Sequence, residues 1–393
     1  MSTPVIPLPS HRVARRAMRE AERARLRASR AVVFLAIPVV LLIVVGIGAI
    51  LSASSVPALR ETGDGLHYFK MQIVGLVIGM VGLLAAVWIP LRWWRRMSSF
   101  LFVGTVLLLV AVLVMGVTAG GATRWLAVGP VAVQPSEIAK LTTILFLATL
   151  VSRKETSMHR LRDFFWPIAV SVGVVSALVL YQPDLGTTLL ICAGAYAVLF
   201  ASAAPFVWVG GSAVLGSLAA FVAAVSSPYR WARVTSFLDL ASDPLGGGYQ
   251  ATQSLVALGT GGLFGVGLGA SRARWSFLPN AHTDFVFSII GEETGLLGSL
   301  TVILLFVWLA VAGMVVAHRA ADRFGRLVAV GLTTWLAAQG VVNLGGVTGV
   351  LPITGVPLPF VSYGGSALVV SLVAVGILIR VAREMPVETP ESP

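Results

Sequence analysis

Charged side chains are scarce in this chain. They make up 11% of its 393 residues, against about 25% in soluble domains. Cysteine is nearly absent: Cys192 is the single example, so an intrachain disulfide is impossible. The sequence also shows no Walker loop, no metal-ligand cluster and no nucleotide-binding domain. These shortages argue against a soluble enzyme, a disulfide scaffold and an ATP-driven transporter.

Apolar residues, in contrast, make up 57% of the chain, and the mean hydropathy is +0.90. The apolar runs are long and continuous, whereas membrane barrels show short alternating segments. We therefore predict an all-α polytopic membrane protein with ten transmembrane helices. The predicted spans lie near residues 31–53, 70–90, 98–118, 137–152, 166–181, 186–202, 205–226, 285–315, 327–349 and 363–382. The eighth is overlong, and its glycines at 291, 295 and 298 are candidate bends.

Basic residues set the predicted orientation. Residues 1–30 hold eight arginines and two glutamates, a net charge of +6. Directly before a span, such a run indicates a cytoplasmic tail on anionic lipid rather than a nucleic-acid site. With that tail inside, 20 of the 28 basic residues fall on the cytoplasmic side, as the positive-inside rule requires. We expect a basic tail (1–30), a membrane domain (31–382) and a cytoplasmic C-terminal tail (383–393).

A large outer loop, 227–284, is predicted between the seventh and eighth spans. Loops of this length are usually functional or disordered. Its many apolar and aromatic residues argue against a disordered linker. We expect the loop to fold back against the bilayer surface.

A first polar cluster lies on the outer side, where Arg124 and Trp125 are followed by Gln-Pro-Ser-Glu-Ile-Ala-Lys at 134–140. Pro and Glu are typical of a helix start. Glu137 and Lys140 are three residues apart and share a helix face. Two interpretations stay open: a helix start with an internal ion pair, or a cationic site for phosphate formed by Lys140 and Arg124.

Two further clusters each centre on an aspartate. Asp184, in Gln-Pro-Asp-Leu-Gly-Thr, is a candidate cap for the sixth span. His282 and Asp284 lie where the large outer loop meets the membrane. They are either a surface histidine and a helix cap, or groups that meet the head of an amphipathic lipid. Glu292 and Glu293 point away from Asp284 by helical geometry, so we expect internal polar pairing for them.

The fourth cluster is the proline- and glycine-rich connection before the tenth span, which includes Ser362. Irregular backbone at membrane depth is tolerated only inside protein or beside a water-filled cavity. A structural loop and a cavity wall are both consistent with this composition.

Together, the four clusters resemble the motifs of the SEDS family (shape, elongation, division and sporulation), in the same order and over about residues 31–382. The His-Thr-Asp-Phe run at 282–285 and the Gly-Glu-Glu at 291–293 are more similar to the division members (FtsW) than to the elongation members (RodA). The resemblance implies a peptidoglycan glycosyltransferase that polymerises lipid II. It also implies a class B penicillin-binding protein as a separate partner, and other cell-division proteins.

In the implied reaction, Asp284 takes the proton from the acceptor hydroxyl. Arg124 and Lys140 neutralise the departing diphosphate, while Trp125, Glu137, Asp184, His282 and Ser362 are candidate substrate-binding residues. No cofactor follows with certainty. A divalent cation, Mg²⁺ or Mn²⁺, is possible at the diphosphate, and Asp284 is then an alternative metal ligand.

Three alternatives remain open. One is an elongation-type (RodA-like) polymerase, which the same resemblance allows. A lipid II flippase would also use ten spans and polar intramembrane groups, and a non-catalytic division scaffold would need none of the outer charges. The outer position of the candidate groups favours the polymerase. We expect a bacterial inner-membrane protein with both termini in the cytoplasm, located at the division septum.

Overall fold

A computed structural model of the chain describes most of its length. The described residues are 11–119, 122–128, 131–154, 161–202, 204–226, 248–275, 278–279 and 281–385, with Trp231, Thr235 and Phe237. Gly120 and Gly121 before the first cluster, Asn280, most of 227–247 and the C-terminal tail beyond 385 lie outside them.

Helices dominate the described residues. They are α1 (His11–Thr62), α2 (His67–Trp88), α3 (Leu91–Met115), α4 (Pro135–Arg153), α5 (Leu161–Tyr181), α6 (Leu185–Phe200), α7 (Phe206–Val225), α8 (Tyr249–Gly261), α9 (Val286–His318), α10 (Arg323–Val347) and α11 (Gly365–Arg383). Eight of them are long and apolar enough to cross a membrane, while α6 and the apolar part of α5 (Trp166–Tyr181) are shorter. The all-α membrane class is confirmed. The count of ten spans stays a prediction, although these ten helices coincide with the predicted positions.

The glycine-rich outer segment before α4 is not an irregular loop. It forms an antiparallel sheet of β1 (Val117–Ala119), β2 (Ala122–Val128) and β3 (Val131–Val133), with β2 in the centre. Valine, threonine and tryptophan, which are enriched in strands, recur in these segments. Strands of this length are too short for a clear periodic signal in the sequence.

The basic tail is continuous with the first span. Helix α1 starts at His11 and runs for 52 residues, about 78 Å at 1.5 Å per residue. Because the hydrocarbon core is about 30 Å thick, the helix extends well beyond the membrane.

The tightest helix pair is α2 with α11, the second helix and the last. A Cβ atom on Gly75 would lie 3.2 Å from Gly365 Cα, and one on Gly376 would lie 2.5 Å from the carbonyl oxygen of Leu83. Only glycine permits this close approach of two backbones. The two helices therefore pack backbone to backbone at these glycines.

Helix α9 bends at Gly295, one of the three predicted positions. Its φ of +69° and ψ of −162° interrupt the helix, and residues 262–267 pack against the bend. Leu296 N donates to the carbonyl oxygen of Gly262 at 2.9 Å, and Val266 N donates to that of Glu292 at 2.9 Å. The backbone N–H and carbonyl groups that the bend frees in α9 therefore form hydrogen bonds with the backbone of residues 262–267.

Candidate active site

Arg124 joins the first polar cluster to the second. Its Nε donates to the carbonyl oxygen of Gln182 at 2.9 Å. One terminal nitrogen donates to the carbonyl oxygen of Pro183, and the other lies 4.0 Å from Asp184 Oδ2. Gln134 Nε2 donates to the same carboxylate oxygen at 3.3 Å. Strand β2, the turn before α6 and the residue before α4 therefore meet at the Asp184 carboxylate.

Asp184 caps α6, as one interpretation of the sequence predicted. Its Oδ1 accepts a hydrogen bond from Thr187 N at 3.1 Å. The preceding Pro183 has a φ of +28°, an unfavourable backbone conformation. Because the Arg124 guanidinium donates to the Pro183 carbonyl oxygen, Arg124 stabilises this turn.

Lys140 and Glu137 form a buried ion pair, with Nζ 2.8 Å from Oε1 and side chains 0% and 2% exposed. The helix start at Pro135 is confirmed, as is the internal pair. Lys140 Nζ also donates to Gln339 Oε1 at 2.9 Å and lies 5.1 Å from the centre of the Trp335 ring. The ammonium group is therefore enclosed by protein and does not face the outer surface in this conformation.

Helix α10 links this ion pair to Asp284. Gln339 and Asn343 are four residues apart and share one face of the helix. Gln339 Nε2 donates to the carbonyl oxygen of Pro357 at 2.9 Å. Asn343 Nδ2 donates to the carbonyl oxygens of Asp284 and Val356, each at 2.8 Å. Asn343 thus joins the third cluster to the fourth, and Gln339 joins the fourth to Lys140 of the first. These amides stood out in the sequence only as polar residues inside an apolar span.

Asp284 lies at a small cleft between the start of α9 and the segment 353–356. Its side chain is half-buried. Phe285, rather than Asp284, occupies the N-cap position of α9. Among the residues that line the cleft, Asp284 is the one with an ionisable side chain. The arrangement therefore presents one carboxylate in a cleft whose other lining side chains are uncharged.

His282 belongs to an aromatic group that the sequence did not reveal. Its ring stacks on Tyr68 at 4.8 Å between centroids and lies 5.6 Å from Tyr363. Tyr363 N donates to the His282 carbonyl oxygen at 3.0 Å. Burial lowers the pKa of His282 from its ordinary 6.5, opposed in part by the charge of Glu61. The neutral imidazole thus holds the third cluster against the fourth and against α2.

Ser362 and Trp125 occupy supporting positions. The Ser362 hydroxyl accepts a hydrogen bond from Leu358 N at 2.9 Å, and its carbonyl oxygen accepts one from Gln72 Nε2 at 3.2 Å. Trp125 lies in β2, opposite Val117. Their predicted contact with substrate stays a prediction.

Glu292 and Glu293 face away from Asp284, as expected. Glu292 Oε1 accepts from Arg272 N at 3.0 Å, and its Oε2 accepts from Ala273 N at 3.2 Å. Glu293 Oε1 accepts from the hydroxyl of Ser52 in α1. The prediction of internal polar pairing is confirmed, and Glu292 fastens the outer loop to α9.

No group of three His, Cys, Asp or Glu side chains within the described ranges is arranged to hold a metal ion. Asp284 is the one carboxylate among the residues that line its cleft, and the polar side chains beside it there are those of Asn343 and Thr354. A divalent cation at a bound diphosphate stays a prediction.

These four clusters, in a bundle of apolar helices, define a polytopic membrane protein with ionisable side chains near the ends of several helices. The chain belongs to the FtsW/RodA/SpoVE family, described as "Cell cycle protein", whose model matches residues 33–386. It is 39% identical to "Probable peptidoglycan glycosyltransferase FtsW" of Coxiella burnetii, over 87% of this chain and 94% of that protein. It is 40% identical to "Stage V sporulation protein E" of Bacillus subtilis, over 89% and 96%.

Solved structures share the fold. A chain in the structure described as "Structural coordination of polymerization and crosslinking by a peptidoglycan synthase complex" matches with a TM-score of 0.75 and 30% identity, over 89% of this chain and 97% of that one. The rod-shape-determining protein RodA of Thermus thermophilus matches with a TM-score of 0.66 and 28% identity, over 89% and 96%.

Proposed function

We propose that this protein is a peptidoglycan glycosyltransferase that polymerises lipid II into β-1,4 glycan strands during septal cell-wall synthesis. The observation that carries the proposal is the linkage of the four clusters: Asn343 and Gln339 tie the first, third and fourth together, and Arg124 and Gln134 tie the second to the first. The names of its FtsW relatives agree with this activity.

The chemistry needs one base and stabilisation of the leaving group. Lipid II carries its disaccharide on a polyprenyl diphosphate, which already leaves well. The acceptor sugar's 4-hydroxyl attacks C1 of the donor sugar, and its proton passes to the Asp284 carboxylate. As the new C–O bond forms, the bond from C1 to the diphosphate oxygen breaks and the polyprenyl diphosphate departs with the electron pair. Attack opposite the α-linked leaving group inverts the centre to β.

The two cations have different roles in this proposal. Arg124 lies in β2 and keeps 23% of its side chain exposed. It is therefore better placed than Lys140 to meet the diphosphate. Lys140 acts as a positioning residue: through Gln339 it holds the Pro357 segment beside the cleft.

The partners and location follow from the same proposal. A class B penicillin-binding protein crosslinks the strands as a separate chain, in line with the synthase complex among the structural neighbours. Other cell-division proteins recruit the pair to the septum. The chain crosses the bacterial inner membrane ten times, with the basic tail 1–30 and the C-terminal tail 383–393 both in the cytoplasm.

Purified protein with its penicillin-binding partner, given lipid II, tests the activity directly. Glycan strands that appear with the wild type and fail to appear with Asp284→Asn support the proposal. A flippase instead moves fluorescent lipid II across vesicles and makes no strands, and an elongation polymerase makes strands but supports rod shape rather than septation. Transport of lipid II without glycan strands would refute the proposal that the protein is a polymerase.

A further inference from the structure

The outer segment 248–275 carries a surface that the proposed chemistry does not use. Its loop exposes large apolar side chains, with Phe264 at 77% and Leu268 at 83%. The opposite side of the segment is packed against the bundle: Ser254 Oγ lies 2.8 Å from Ser288 Oγ and donates to the carbonyl oxygen of Val347. The exposed apolar side chains therefore point away from the protein.

The height of this loop along α9 is fixed by its hydrogen bonds at the Gly295 bend. From Gly295 to the end of the helix at His318 is about 34 Å of axis, close to the 30 Å thickness of the hydrocarbon. Arg319 follows immediately and marks one membrane–water boundary. The bend, and the loop on it, then lie at the other boundary.

The charge of the segment suits a phospholipid headgroup layer. Residues 248–275 contain no Asp or Glu, and their charged side chains are Arg272 and Arg274. The Arg274 guanidinium lies 5.7 Å from the centre of the Trp275 ring. Tryptophan and arginine together are typical of the interface, where the ring meets the acyl boundary and the cation meets phosphate.

We infer that residues 262–268 form an interfacial anchor that inserts into the outer edge of the bilayer, with Arg272 and Arg274 at the lipid phosphates. The insertion is permitted because the irregular backbone is bonded to the bend of α9 and is not left to lipid. The nine helical steps from Val286 to Gly295 span about 14 Å, and Asp284 lies two residues before Val286. The anchor thus fixes how far the candidate base stands above the acyl chains, a consequence that rests on the proposed function.

Three leucines provide a matched test in the full chain with Cys192→Ala. An environment-sensitive fluorophore is attached to Leu268→Cys, to Leu66→Cys in the polar turn between α1 and α2, and to Leu304→Cys on the exposed face of α9 below the bend. The proteins are reconstituted in phosphatidylcholine–phosphatidylglycerol vesicles. Iodide then quenches from water, and lipids spin-labelled at shallow or deep acyl positions quench from the bilayer.

We expect the Leu268 probe to be quenched most by the shallow lipid label, the Leu66 probe by iodide and the Leu304 probe by the deep label. A Leu268 probe that behaves like Leu66 would show that the segment stands clear of the bilayer. One that behaves like Leu304 would show deep insertion and would equally overturn an interfacial position. Loss of polymerisation leaves these readings unchanged, so failure of the anchor and failure of the proposed function are distinguishable.

Discussion

Among single residues, Asp284 bears most directly on catalysis. Asp284→Asn keeps the shape of the side chain but cannot accept the acceptor's proton. We expect polymerisation of lipid II to fall about 10²–10⁴-fold, with normal membrane insertion. Asp64→Asn, in an exposed outer turn where Asp64 pairs with Lys70, serves as the control and keeps wild-type rates. Near-normal synthesis by Asp284→Asn would contradict the assignment.

The Lys140–Glu137 pair predicts a stability effect. Lys140→Met leaves a buried carboxylate without its partner, which typically costs about 3–5 kcal/mol. We expect a lower unfolding temperature in detergent and weaker polymerisation. Adding Glu137→Gln removes the stranded charge, so the double variant regains most of the stability. If the double variant is as unstable as Lys140→Met alone, the buried charge is not the cause.

His282 predicts a pH dependence. Its pKa is lower in the folded protein than the ordinary 6.5, so between these two values the unfolded chain binds more protons. Stability therefore rises with pH across this window, and is lost as the pH falls below about 6.5. His282→Phe retains an aromatic ring without titration. Thermal unfolding between pH 5.5 and 8 should show a smaller loss at low pH in His282→Phe, and an unchanged loss would contradict the prediction.

The residue types at the site were predictable, but most of their contacts were not. The Glu137–Lys140 pair and the Asp184 cap join neighbours in sequence, so helix geometry alone predicts them. The bond from Lys140 to Gln339 joins residues 199 positions apart, and local patterns carry no information on such pairs. The sequence left open whether Lys140 pairs internally or meets a phosphate, and its enclosure beside Gln339 is visible only in the structure.

At the scale of elements, the Gly295 bend predicts a strict requirement for glycine. A Cβ atom there would lie 2.5 Å from Gly265 N and from the Leu263 carbonyl oxygen, at a φ of +69°. We expect Gly295→Ala to detach the outer loop, measured as faster proteolysis within 262–275. Gly104→Ala, in α3 with no atom near the added methyl group, is the control. Equal protection of both variants would contradict the role of the bend.

Element positions were predicted better than element partners. Long apolar runs correspond to the membrane helices, and Gly295 was among three candidate bends. Helix α8 and the small sheet were missed, because each depends on packing with distant parts of the chain. The outer loop's contact with α9 could not be predicted, since it is made mostly by backbone atoms that every sequence shares.

For the molecule as a whole, the N-terminal tail should be dispensable for chemistry. It is proposed to lie across the membrane from Asp284. A deletion of residues 2–24 keeps Arg25, Arg27 and Arg30, each worth about 1 kcal/mol near an anionic surface. We expect normal insertion and polymerisation with the purified partner, and altered septal recruitment in cells. Loss of synthesis by a correctly inserted, partner-bound deletion would give the tail a direct role.

The glycine-lined contact between α2 and α11 has a consequence for biogenesis. The second helix enters the membrane early, but its partner is the last one translated. Translation proceeds at about 5–20 residues per second. The glycine-lined face of α2 is therefore exposed for about 15–60 seconds before α11 has been synthesised. Until then α2 presents a small-residue surface to lipid and to other nascent helices. The α2–α11 contact therefore forms late in translation, and a ribosome that stops before α11 leaves α2 uncovered and open to the quality-control machinery.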